Sequence, residues 1–89
     1  MSTTQRASAR NGAYLEQALD LAANAAIDRG ATSASALDWK RQMRRNLGPR
    51  FFEQSAEGRT ETLRHFEPRP GDEGTRAAFA VLHAIAQSL

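Results

Sequence analysis

The sequence predicts an all-α fold, a single small bundle of about four helices, and three stretches carry that reading. Tyr14, Leu15, Ala18, Leu19, Leu21, Ala22, Ala25, Ala26 and Ile27 recur at helical spacing over a wide arc. Ala36, Trp39, Met43 and Leu47 repeat at three and four residues beside a run of cations. Phe79, Leu82, Ile85, Ala86 and Leu89 line one side of a C-terminal segment that Ala78 and Val81 widen. In 89 residues there is room for one domain with a thin core, because Ala supplies much of the apolar content and buries little area per residue.

Residues 1–10 (MSTTQRASAR) are polar, rich in small side chains and without periodicity, which predicts a disordered N-terminal arm ahead of a single helical domain over residues 11–89. Asn11 is an N-cap residue type, and the pattern is helical from Gly12 to Arg29, with Gly30 as the stop. Glu16, Asp20, Asn24 and Asp28 recur every four residues as one narrow polar stripe. The rest of that helix is apolar, so it must pack on more than one side, within a bundle or against a second copy in a homodimer.

Ser35 and Asp38 have the spacing of a capping box for the central helix, which Gly48 and Pro49 end, since the residue before proline avoids the α region. Pro49 also suits the first position of a short helix through Phe51, Phe52 and Gln54. Thr60 to Phe66 reads as a further helix with Leu63 and Phe66 inward. The stretch RTETLRHF also alternates, so the alternative is an α+β fold with a hairpin between residues 51 and 66. Residues 67–71 (EPRPG) form a loop, after which Asp72 caps a last helix over residues 73–88.

Charge is unevenly distributed. Residues 1–38 hold three Arg against four acids, and residues 53–89 hold four Arg against six. Residues 39–52 hold Lys40, Arg41, Arg44, Arg45 and Arg50 and no acid, so all the excess positive charge is central. At 100° per residue, Ala36, Trp39, Met43 and Leu47 share an arc of about 80°, and Lys40, Arg44, Arg41 and Arg45 fan over the next 140° or so. One face of the central helix is apolar and its neighbour is strongly positive. Lys40 with Arg44, and Arg41 with Arg45, repel along the helix by a few tenths of a kcal/mol.

Several function classes find no support in these residues. The chain has no Cys and two histidines, His65 and His83, which lack the spacing of a helical zinc site; no metal and no cofactor are expected. No phosphate-cradling glycine loop occurs, and the serines sit where capping explains them, so an enzyme is not expected. The apolar run 77–82 is too short to cross a bilayer and no secretory leader precedes the domain, which leads to the expectation of a soluble cytoplasmic protein.

Ala26, Gly30 and Trp39 stand at the spacing at which the helix-turn-helix places its Ala, its turn Gly and a late apolar residue, so this short stretch resembles that motif. Arg29 departs from it at an apolar position, and Ala36 is smaller than the usual branched residue. The recognition positions the resemblance implies, Thr32, Ser33, Leu37, Asp38 and Arg41, hold an acid and a single Arg.

The expected function is therefore that of a small interaction protein, a regulator, adaptor or phage-type inhibitor. It would dock the Arg-rich, aromatic-flanked central helix on an acidic surface of another protein through Lys40, Arg41, Arg44, Arg45, Arg50 and Phe51. The alternative is nucleic-acid binding, with the same cations making phosphate contacts of little base specificity.

Overall fold

The computed structural model describes the backbone of residues 3–68 and 71–88 and the side chains of residues 12–68 and 71–88. It contains α1 (Thr3–Asp28), α2 (Ser33–Leu47), a 3-10 helix (Phe51–Glu53), α3 (Ala56–Arg64) and α4 (Glu73–Ser88). Among the described residues there is no strand, and the fold is the all-α bundle that the periodicities predict. Met1 and Ser2 of the expected arm, Arg69 and Pro70 of the expected loop, and Leu89 lie outside the described residues.

Residues 51–66 form a 3-10 turn and a helix instead of a hairpin. The Ser55 hydroxyl accepts the Gly58 N–H at 3.1 Å and caps α3, and Arg59 and Leu63, four apart, both turn inward. Helical spacing therefore prevails over the apparent alternation of RTETLRHF.

Two caps sit elsewhere than the sequence suggests. α1 begins at Thr3, so Asn11 lies inside the helix and does not cap it. α2 is capped by Thr32, whose hydroxyl accepts the Ser35 N–H at 3.0 Å, so Ser35 lies in the first turn and does not form a box with Asp38. The stop at Gly30 is as expected: with φ of 103° it adopts a conformation that costs other residues, and it donates to Ile27 O while Ala31 donates to Ala26 O.

Asp72 caps α4 as expected. Its Oδ1 accepts the Thr75 N–H at 3.0 Å and its Oδ2 accepts the Thr75 hydroxyl at 2.7 Å. These bonds, the backbone one foremost, hold the carboxyl below its ordinary pKa. A carboxylate depressed in the folded state contributes stability that is present above the unfolded-state pKa and is lost as pH falls through the folded value. Asp72→Ala is expected to lower the Tm at neutral pH, with the gap to the parent closing once the solution is more acidic than the carboxylate range. Thermal melts at the two pH values check this, and a gap that persists undiminished in acid would contradict it.

The core is built around α1, which packs against α4, α2 and the 3-10 helix. Leu15, Ala18, Leu19, Ala22, Ala23 and Ala26 are buried, and so are Ala78, Leu82 and Ala86 of α4, so small side chains bring these two helices close. α4 starts beside the end of α1, where a Cβ added at Gly74 would stand 3.0 Å from that of Ala31. Its other end reaches the 3-10 helix through Arg59, so α1 and α4 are antiparallel. Met43 and Ala36 of α2 are buried, and Trp39 and Leu47 pack on the core from its edge.

Candidate docking face on helix α2

α2 folds back along α1, and two ion pairs fix its register. Lys40 Nζ pairs with Asp20 Oδ1. One turn further, Arg44 Nε and Nη2 reach Glu16 Oε2 and Oε1 at 3.1 and 2.9 Å. Cations four apart on one helix thus meet carboxylates four apart on another running the opposite way. Because α2 lies antiparallel along α1, the pair is an αα-hairpin and not the steeply crossed pair of a helix-turn-helix.

The basic fan is thereby divided. Lys40 and Arg44 are engaged by the acidic stripe of α1. Arg41 and Arg45 are exposed and meet no carboxylate among the described residues. Asp38, which borders them, is held by Gln42, whose Nε2 donates to Oδ2 at 2.8 Å. Leu37, 46% exposed, lies one turn before Arg41 on the same row.

Arg50 projects from the far end, its side chain 81% exposed, with Nε donating to Glu53 Oε2 at 3.0 Å. Phe51 is not available to a partner. It has no exposed surface, and its ring meets that of Phe52 edge-on at 5.0 Å. The 3-10 turn that follows Gly48 rotates both rings of the aromatic pair inward, since a domain with few large apolar residues needs them in its core.

The pairing of α2 with α1 predicts a measurable coupling. In a Glu16→Ala, Arg44→Ala double-mutant cycle, the half-exposed, two-bond pair is expected to show about 0.5–1 kcal/mol of interaction, falling as salt rises. Zero coupling at low salt would contradict the register described here.

Sequence reasoning missed two features of this region. Glu16 and Asp20 were placed in a polar stripe and Lys40 and Arg44 among the contacts to a partner, although the matching four-residue spacing of both sets was the signal that could have paired them. Arg59 was also missed. It is 3% exposed, with Nε donating to Ala86 O at 2.7 Å, Nη1 to Gln54 O at 2.5 Å, and its guanidinium 5.5 Å from the centre of the Phe52 ring. Its position four before Leu63 and seven before Phe66, on the inward row, was the available signal.

The larger hollows of the surface lie along the outer side of α3 and around Arg76, and neither His65 nor His83 lines them. Among the described residues, no three His, Cys, Asp or Glu side chains are grouped to hold a metal, and no helix is long and apolar enough to cross a membrane. No protein-family model matches the chain, and comparison with curated proteins and with solved structures likewise gives no match.

Proposed function

We propose that this chain is a non-enzymatic interaction protein, a small regulator, adaptor or inhibitor of the phage type, that docks the outer face of α2 on an acidic surface of another protein. The observation that carries this reading is the row Leu37, Arg41, Arg45: an exposed apolar side chain in line with two guanidiniums that no described carboxylate neutralises. Arg beside apolar surface is the composition of interface hot spots, and guanidinium suits bidentate contact with carboxylate. Arg50, exposed three residues beyond the end of α2, extends the surface. Lys40 and Arg44 hold α2 on α1, so the face is presented on a fixed element.

The exposed Leu37 favours a protein over a phosphate backbone, which offers it nothing to bury against. Two unpaired guanidiniums also give little to a polyanion, since salt-dependent affinity grows with the number of phosphates neutralised.

The test is affinity capture from a nuclease-treated lysate with the parent chain and an Arg41→Glu, Arg45→Glu variant. Neither residue has an intramolecular ion-pair partner among the described residues, so the variant is expected to melt with the parent. A protein held by the parent and lost by the variant supports the reading. A partner retained equally by both would refute it. Material recovered only without nuclease, and fading steeply with salt, would replace it with nucleic-acid binding.

A further inference from the structure

We propose that the partner presents to α2 an acidic α-helix, antiparallel to it, with carboxylates at positions i and i+4 and an apolar residue at i+8. This inference rests on the docking function proposed above and specifies what occupies the face.

The molecule contains the template for such a contact. On the inner flank of α2, Lys40 and Arg44 meet Asp20 and Glu16 of an antiparallel helix. On the outer flank, Arg41 and Arg45 repeat the same spacing, shifted by one residue and so by about 100° around the axis. The row continues in Leu37, whose exposure calls for an apolar counterpart where α1 offers Asn24 to the inner row.

Rows of residues four apart are the ridges that interdigitate when helices pack, so the outer row is shaped for a second helix. An extended strand fits it poorly. The backbone N–H and C=O groups of α2 are spent within the helix, and a strand laid against it would find no ladder partners. Asp38 bounds the row on the side away from Arg44 and repels carboxylates there, which directs the partner's acids toward the Arg44 side.

The test uses the full chain and a labelled Ala-based helical peptide bearing Glu at i and i+4 and Leu at i+8, titrated by fluorescence anisotropy at low salt. Two control peptides are used: one, of the same composition, distributes the two Glu and the Leu over different faces, and the other replaces a central Ala by Pro to interrupt the helix. The ladder peptide is expected to bind about tenfold more tightly than either control, and Arg41→Glu, Arg45→Glu to remove that advantage.

Equal affinity for all three peptides, or no binding of any, would overturn the helical inference. If the captured partner were nevertheless lost by the same variant, the docking function would stand without its helical occupant; capture unaffected by the variant would remove the docking function itself. Self-association of the parent chain that the variant abolishes would place a second copy on this face and likewise overturn the proposal.

Discussion

Phe51→Ala is expected to destabilise the domain by about 3–5 kcal/mol, the range for truncating a buried aromatic side chain. A domain of this size has on the order of 4–13 kcal/mol in total, so the variant should melt at least 15 °C or so below the parent. Phe51 is the largest of the fully buried side chains, and its ring supports Phe52, which in turn meets Tyr14 edge-on at 6.4 Å and carries the Arg59 guanidinium on its face. Removing it opens a cavity in the core where the 3-10 helix packs on α1. Thermal denaturation checks this. A small change in Tm would mean that the ring is not packed as described and would reopen Phe51 as a contact for a partner.

Arg59→Ala is expected to cost about 2–4 kcal/mol by another route. The carbonyl of Ala86 lies in the last turn of α4, where no helical N–H remains to satisfy it, and Arg59 supplies that donor together with a positive charge at the negative end of the helix dipole. The same guanidinium satisfies the carbonyl of Gln54, just before the cap of α3. Truncation leaves one buried and one part-buried acceptor without their donor and removes a packed stem. Arg59→Met, which keeps the stem, should lose less than Ala but more than Arg59→Lys, which keeps one donor and the charge. Chemical denaturation orders the three variants, and hydrogen exchange should show the last turn of α4 opening first. Equal stability of Ala and Met variants would indicate that the stem contributes nothing and that the hydrogen bonds carry the whole effect.

These two residues also mark how far the sequence could be read. The helices were legible because their apolar residues recur at three and four and their ends carry recognisable signals, the stops Gly30 and Gly48 and the N-cap Asp72. The aromatic pair 51–52 was misjudged because adjacency to a cationic run resembles an interface composition. Its direction depends on the turn after Gly48, whose φ of 79° redirects the chain in a way that local pattern does not encode.

The candidate site was legible as a cationic helix but not as a divided one. Whether Lys40 and Arg44 face solvent or α1 follows from the antiparallel hairpin at Gly30, a tertiary fact. Once that fold is known, the acidic stripe of α1 selects which two cations it takes and which two it leaves. Arg59 was hidden for a related reason: an arginine is ordinarily exposed, and the carbonyls that make its burial tolerable come from segments 5 and 27 residues away.

The proposed division of α2 into an inner, structural pair and an outer, recognising pair is most directly tested by measuring partner capture with two double variants side by side, Lys40→Ala with Arg44→Ala and Arg41→Ala with Arg45→Ala. The first is expected to retain the partner, with at most a modest loss from a looser α2, whereas the second is expected to lose it while folding as the parent does. Loss of capture in the first variant with full retention in the second would contradict the account.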